Sequence, residues 1–201
     1  MTMVTATRRT RRGLGVAGRA VRKTAAAWWL RWPAVVAAVV VALLAPPGAA
    51  EAANGLPGNF YANIYNVTNA ACVNVRNDST QAGAWIQEYD CDGTGASDFY
   101  FATAGADGLY QIRGEHSNLC ITPNGSNPGD GTPLVQWYCV GARSQLWELL
   151  PSPAGSYEVY NYATGLCMTF PDDNDWTIMQ IQTCDPLHQY QIFDPVNILP
   201  A

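Results

Sequence analysis

Three segments of the chain alternate apolar and polar side chains at every second position. They run from Tyr61 to Asn66, from Leu109 to Arg113 and from Tyr157 to Asn161. Period-two alternation rich in Tyr, Ile and Val is typical of half-buried β-strands. Glycine and proline interrupt the chain every few residues elsewhere, as at 93–95, 124–133 and 151–155, so no stretch remains for a long helix. The pattern predicts an all-β fold of short strands joined by turns.

Six cysteines repeat along the chain with regular spacing: Cys72, Cys91, Cys120, Cys139, Cys167 and Cys184. The gaps between them are 19, 29, 19, 28 and 17 residues. Because three short gaps alternate with two long ones, we predict disulfides 72–91, 120–139 and 167–184. Each would close a loop of about 20 residues and stabilise the fold by about 3 kcal/mol. A zinc site is the alternative hypothesis, but no Cys-x-x-Cys pair or adjacent histidine supports it.

The cysteine spacing exposes a threefold internal repeat. First cysteines recur at steps of 48 and 47 residues, and each unit closes on a similar triplet: Asp98-Phe99-Tyr100, Gln145-Leu146-Trp147 and Gln191-Ile192-Phe193. A period near 47 predicts three structural units around one shared core. We place these repeats at about 61–105, 108–155 and 156–198, within one domain of residues 61–198 that follows a short lead of residues 53–60.

The first 52 residues differ in composition from the rest. They hold eight of the eleven basic residues, an apolar run from Trp32 to Ala45 and a small-residue site at Ala50-Glu51-Ala52. This order predicts a cleaved secretory signal peptide over residues 1–52. A membrane anchor is the alternative, but a span needs about 20 apolar residues and Arg31 shortens this run. Because its Ala, Val and Arg bias resembles a GC-rich bacterial gene, we expect a secreted bacterial protein, exported by either the general or the twin-arginine route.

The remaining 149 residues are strongly acidic. They contain fifteen acids, three arginines and no lysine, which gives a formal net charge of −12. Phosphate backbones and anionic lipid surfaces are bound through Lys and Arg. We therefore expect no nucleic-acid partner, and no membrane partner for the mature chain.

Three tandem units, each with a short-range cysteine pair and a closing Gln-x-aromatic, resemble the ricin B-type lectin domains, the β-trefoil carbohydrate-binding modules. The second unit matches best, with Leu119-Cys120-Ile121, Gln136-Trp137-Tyr138-Cys139 and Gln145-Leu146-Trp147. The resemblance implies a β-trefoil of three tandem repeats with one disulfide in each. It also implies that the closing aromatics Tyr100, Trp147 and Phe193 belong to the core.

The resemblance further implies one shallow sugar pocket per unit. A sugar presents an apolar face and a rim of hydroxyls, so its site needs an aromatic platform beside side chains that donate and accept hydrogen bonds. In the first unit the family's positions fall on Asn74, Gln87, Tyr89, Ser97 and Asp98. In the second they fall on Thr122, Val135, Trp137, Ser144 and Gln145, and in the third on Thr169, Gln180, Gln182 and Tyr190. By match to the family pattern, we rank the pockets first, second, third.

Other chemistry-bearing residues have simpler explanations. The run from Asp172 to Trp176 lacks the spacing of a calcium loop and is interpreted as a surface loop, with Trp176 a further candidate sugar platform. His116 and His188 lie in different units without a nucleophile motif. Paired carboxylates such as Asp90 and Asp92 suit a glycosidase, but surface acids more often serve solubility. We predict no enzymatic activity, no cofactor and no metal.

The sequence therefore predicts a non-catalytic lectin. Its net charge favours neutral glycans or polysaccharides of the galactose or xylose type over acidic ones, because like charges repel. The alternative is a secreted protein-binding trefoil, such as a protease inhibitor or an adhesin, since a fold does not fix a function. The sugar and the oligomeric state are left open.

Overall fold

A computed structural model describes residues 55–105, 108–153 and 156–201. The predicted signal peptide, residues 1–52, lies outside the described residues. In the described part, no helix is long and apolar enough to cross a bilayer.

The described residues form twelve β-strands and four one-turn 3₁₀ helices. The strands are β1 (Phe60–Asn66), β2 (Ala71–Val75), β3 (Ile86–Asp90), β4 (Phe99–Thr103), β5 (Leu109–Gly114), β6 (Cys120–Pro123), β7 (Thr132–Trp137), β8 (Trp147–Pro151), β9 (Tyr157–Asn161), β10 (Cys167–Thr169), β11 (Gln180–Gln182) and β12 (Ile192–Pro200). The 3₁₀ turns are Arg76–Asp78, Gly95–Ser97, Arg143–Gln145 and Gln189–Gln191. The prediction of an all-β fold is confirmed.

Six of the strands close into a ring in the order β1, β4, β5, β8, β9, β12 and back to β1, and all neighbours are antiparallel. The remaining strands form three hairpins, β2–β3, β6–β7 and β10–β11. The hairpins meet one another, because β11 pairs with β7 and Gln87 bridges to Ile178. The two strands of each hairpin carry part of one unit's predicted sugar-binding positions, and the others lie on or next to the 3₁₀ turns.

The core is filled from the ring strands by period-two alternation. In β1 every second residue, from Phe60 through Ile64 to Asn66, is buried, and the residues between them are partly exposed. The closing aromatics at its centre are Phe99, Trp147 and Phe193, which are fully buried. The Trp147 indole Nε1 also donates a hydrogen bond of 3.0 Å to the carbonyl of Ile121.

One core prediction is wrong by a single residue. Tyr100, predicted as the first unit's closing aromatic, is partly exposed and packs on Tyr61, with ring centroids 4.9 Å apart. Phe99 takes the core position. The 3₁₀ turns explain the shift, because they end at Ser97, Gln145 and Gln191, and the core aromatic follows two residues later in every unit. Ser97 therefore holds the place of the motif glutamine, which the sequence had assigned to Asp98.

The three disulfides join the cysteines that the spacing paired: Cys72 with Cys91, Cys120 with Cys139 and Cys167 with Cys184. Each connects the first strand of a hairpin to the residue beyond its second strand or close to it. This prediction is confirmed. Each disulfide therefore fixes the base of the loop that leads to the next 3₁₀ turn.

Candidate functional site

The second unit contains an open cleft of about 380 Å³. Its lining includes five residues named from sequence, Thr122, Val135, Trp137, Ser144 and Gln145, together with Pro123, Asn124, Gly125, Ser126, Val140 and Ala142. The structure thus brings all the predicted second-unit positions together. The loop after β6 and the segment before the 3₁₀ turn Arg143–Gln145 complete the lining.

The hairpin β6–β7 forms the floor of this cleft. Thr122 lies opposite Val135, and Cys120 lies opposite Trp137. Because side chains two residues apart in a strand share a face, Val135 and Trp137 both project into the cleft. The indole of Trp137 is 47% exposed, and a Cβ at Gly83 would stand only 3.6 Å from it. A half-exposed aromatic ring of this kind suits the apolar face of a pyranose.

The cleft lining also contains two hydroxyl side chains, Thr122 and Ser144. The Oγ1 of Thr122 lies 3.3 Å from both the carbonyl and the hydroxyl oxygen of Ser144. The Asn161 side chain donates a 2.8 Å hydrogen bond to the same Ser144 carbonyl. Asn161 thereby fixes the 3₁₀ turn that carries Ser144. Sequence reasoning missed this residue, although Asn66 closes β1 as Asn161 closes β9 and likewise donates to backbone carbonyls.

Gln145 lines the cleft, but both polar atoms of its carboxamide are engaged by backbone. Its Nε2 donates to the Tyr138 carbonyl at 2.7 Å, and its Oε1 accepts from the Val140 amide at 2.9 Å. Gln191 makes the equivalent bonds to Thr183 and Asp185 in the third unit. The motif glutamine therefore holds the loop after the second cysteine, and Gln145 shapes the cleft wall.

The predicted first-unit positions lie in a buried network. Asn74, Gln87 and Ser97 are each at most 3% exposed. The Gln87 amide donates to Asn74 at 3.1 Å, and the Asn74 amide donates to the Ser97 hydroxyl at 3.1 Å. Tyr89 is only partly exposed, and Trp176 from the third unit packs on it with ring centroids 4.5 Å apart. Exposure therefore favours the second cleft over the first, which reverses the order given by motif match.

Asp98 does not join the other first-unit positions. Its Oδ1 accepts a 2.6 Å hydrogen bond from Asn63 on β1, and it lines a different cavity. Because the 3₁₀ turn ends at Ser97, Asp98 projects from the opposite side of the chain. In the third unit, Thr169 is fully buried and accepts a bond from Gln191, while Gln180, Gln182 and Tyr190 are partly exposed.

The acidic loop after β10 changes the electrostatics beside the first hairpin. Burial raises the pKa of Glu88 from 4.5 to about 7, and nearby Asp172, Asp175 and Asp173 raise it further against a hydrogen bond from Asn69. Asp172 itself accepts bonds from the Thr177 hydroxyl and the Asn174 amide, and its pKa is lowered chiefly by the Thr177 bond. The Asp172 carboxylate thus stabilises the turn of its own loop.

Within the described part of the chain, one group has the spacing of metal ligands: Glu158, Cys167 and Cys184. Its cysteines form a disulfide, so they offer no thiolate to a metal.

Structural comparison defines the class of fold. The designed threefold symmetric protein ThreeFoil aligns with 70% of this chain and 99% of its own at a TM-score of 0.64 and 18% identity. An exo-β-1,3-galactanase from Clostridium thermocellum aligns at a TM-score of 0.64 and 20% identity, over 68% of this chain and 30% of its own. A ricin B-like lectin of Macrolepiota procera, in complex with lactose, aligns at a TM-score of 0.55 and 18% identity, over 72% of this chain and 96% of its own. At these identities the likeness concerns the fold, which is β-trefoil-like.

The family follows from the sequence. The model of the ricin-type beta-trefoil lectin domain-like family matches residues 53–137 and 96–183, which together are more than half of the chain. The chain belongs to this family. No curated protein sequence matches this chain significantly.

Proposed function

We propose that the protein is a secreted, non-catalytic lectin that binds neutral glycans, and that the second cleft is its principal site. The proposal includes the signal peptide over residues 1–52 and the three repeats at about 61–105, 108–155 and 156–198. One observation carries it: the half-exposed Trp137 indole and the hydroxyl residues Thr122 and Ser144 line the same cleft of about 380 Å³.

The cleft offers what a neutral pyranose needs. An indole covers the C–H face of the sugar, while hydroxyl side chains donate to and accept from its ring hydroxyls. The lining contains no charged side chain. Residues 53–201 carry a net charge of −12, which disfavours uronic and sialic acids by repulsion.

The acidic pair Asp90 and Asp92 supports a non-catalytic role. Asp90 and Asp92 are both exposed. The Asp92 carboxylate accepts bonds from the Thr94 amide and hydroxyl, which lower its pKa. A glycosidase acid needs the opposite, a raised pKa that keeps its proton at neutral pH.

The test is a binding comparison of two matched tryptophan variants. Mature protein is titrated with lactose, xylobiose and soluble galactan or xylan, alongside Trp137→Ala and Trp176→Ala. Both indoles are about half exposed, so loss of generic aromatic surface is equal. We expect Trp137→Ala to weaken binding at least tenfold, or about 1.4 kcal/mol, and Trp176→Ala to change it less than twofold. Absence of sugar binding by the parent protein would overturn the proposal.

A protein-binding role is the second candidate, and exposed apolar side chains favour it. Tyr138 is 61% and Val140 70% exposed beside Trp137. If that surface binds a protein such as a protease, Tyr138→Ala should abolish protease inhibition, while sugars should leave the inhibition unchanged.

Export is tested separately by N-terminal sequencing of the secreted protein, whose first residue should be the one after Ala52.

A further inference from the structure

A second cavity, of about 570 Å³, is lined partly by the ring strands β1 and β12 and shares no lining residue with the second-unit cleft. Its lining combines Tyr61, Ala62, Asn63, Gly93, Asp98, Glu115, Asn197 and Leu199. These residues come from β1, β12 and the turns flanking β4 and β5. Asp98, predicted from sequence to belong to the first cleft, lies here instead.

Strand register arranges the lining in two rows. Tyr61 on β1 pairs with Leu199 on β12 and with Tyr100 on β4, which makes an apolar row of outward side chains. The neighbouring outward row contains Asn63 and Asp98, and the Glu115 amide bonds to the Asp98 carbonyl at 2.9 Å. An apolar strip thus runs beside a strip of amides and carboxylates.

Hydrogen bonds hold the polar row in place. Asn197 donates to the Asn63 oxygen at 2.8 Å, and the Asn63 amide donates to Asp98 Oδ1 at 2.6 Å and to the Ser97 carbonyl at 2.9 Å. Asn197 has φ +57°, a left-handed conformation that asparagine tolerates, and it lies within the register shift of the β1–β12 pairing. The Asp98 carboxylate is therefore oriented before any ligand arrives.

The apolar row is also fixed. The Tyr61 ring packs on Tyr100 with centroids 4.9 Å apart and planes inclined by 37°. Leu199 beside it is 65% exposed. A ring held by a second ring loses little conformational entropy when a ligand stacks on it.

From these features we propose that this cavity is a second carbohydrate site, which takes a neutral pyranose whose adjacent hydroxyls bind Asp98 and Glu115 and whose C–H face lies on Tyr61 and Leu199. The inference rests on the proposed lectin function and deepens it. A carboxylate accepts two hydroxyl donors at once. The two acids repel an acidic sugar.

A second site changes what the protein retains. The hairpin cleft and the second cavity lie on different strands of one rigid sheet. A polysaccharide long enough to reach both would bind with an avidity gain, whereas a disaccharide would fill each site separately. A second site would thus offset the avidity lost because the predicted first-unit positions are buried.

The experiment maps backbone amide shifts in ¹⁵N-labelled mature protein titrated with lactose and xylobiose. The parent protein should show shifts at residues 122–145 and, independently, at 61–63, 98, 115 and 197. In Trp137→Ala the first set should vanish and the second remain. When Asp98→Asn or Tyr61→Ala is added to Trp137→Ala, the sugar affinity measured from the second set of shifts should fall at least fivefold. Tyr61→Phe, which keeps the ring, should change that affinity less than twofold.

The outcomes separate the two proposals. Shifts confined to residues 122–145 would overturn the second site and leave the lectin proposal standing, whereas no shift at all would overturn both. Shifts at Asp98 and Glu115 produced by calcium chloride alone would show a cation site and overturn the sugar assignment. The amide spectrum of each variant reports its folding, and Asp98→Asn preserves the acceptor for Asn63 if Tyr61→Ala unfolds the protein.

Discussion

The His116 imidazole reaches from the second unit to the Asp78 carboxylate of the first, with Nδ1 and Oδ1 3.0 Å apart. The same ring lies against Gly95, where a Cβ would stand 2.0 Å from its Nε2. Asp78 and Gly95 belong to the two 3₁₀ turns that flank the first cleft. In the second unit, Arg143 takes the position of Gly95 and points over the Tyr162 ring at 4.7 Å, and its cleft is open.

His116→Ala should loosen the first cleft. Without the imidazole the two flanking turns lose their bridge, so the Ser97 and Asp98 amides should exchange hydrogen faster by local opening. Global stability should fall by less than about 1 kcal/mol, because exposed pairs contribute little. Hydrogen exchange followed by NMR measures both quantities.

Gly95→Ala provides an independent check, because its methyl group would displace the same ring. His188→Ala, in the third unit, serves as the control and should leave these amides unchanged. Unaltered exchange at Ser97 in both His116→Ala and Gly95→Ala would show that the bridge does not close the cleft.

Glu88→Gln should remove a pH-dependent cost to folding. The folded-state pKa of Glu88 is raised from 4.5 to about 7, chiefly by burial, so the folded protein binds this proton more tightly than the unfolded chain. Its contribution to stability is therefore greatest below pH 4.5 and is lost as the pH rises towards 7. The loss amounts to at most about 3 kcal/mol.

Urea unfolding at pH 5, 6, 7 and 8 measures this effect. The glutamine keeps an acceptor for Asn69, so the variant should match the parent protein near pH 5 and exceed it at pH 8. Glu148→Gln, on β8, controls for the loss of one negative charge. Parallel stability curves for parent and Glu88→Gln across this range would refute the assignment.

Sequence reasoning was sufficient to predict the all-β fold and the three disulfides and to find the resemblance to the family, because these depend on local alternation and on contacts within a unit. It was insufficient at the first closing motif. Asp98-Phe99-Tyr100 offers two adjacent aromatics and no glutamine, and the sequence could not show that the 3₁₀ turn ends at Ser97. That one-residue error predicted Tyr100 in the core and grouped Asp98 with the first cleft, whereas its carboxylate bonds to Asn63.

The relative openness of the clefts also escaped sequence reasoning. Motif match placed the first cleft ahead because Gln87 and Tyr89 fit the family pattern. Its accessibility depends on contacts between units, where Trp176 packs on Tyr89 and His116 bridges to Asp78. Such contacts join residues 87 and 38 positions apart, and no alignment of one repeat with another reveals them.

Trp147→Phe should lower stability by about 1–3 kcal/mol without changing the fold. Phe99 and Phe193 fill the equivalent positions of the other units, so a phenyl ring is compatible with the core. The cost comes from the lost hydrogen bond to the Ile121 carbonyl and from the space that the indole leaves. Chemical denaturation measures it, with Trp176→Phe, half exposed, as a control expected within 0.5 kcal/mol.

Gln145→Ala should weaken sugar binding although both polar atoms of the carboxamide are bonded to backbone groups. Its loss leaves the Tyr138 carbonyl and the Val140 amide without their partners, so the loop carrying Val140 moves and the cleft changes shape. We expect stability to fall by about 1–3 kcal/mol and affinity for the second cleft to fall several-fold. Gln145→Glu keeps the acceptor for Val140 but cannot donate to Tyr138, and should lie between the parent and the alanine variant in both measurements. If Gln145→Ala loses affinity while its denaturation midpoint and the amide shifts of residues 138–140 stay those of the parent, the carboxamide binds sugar directly, and the role given to it here is wrong.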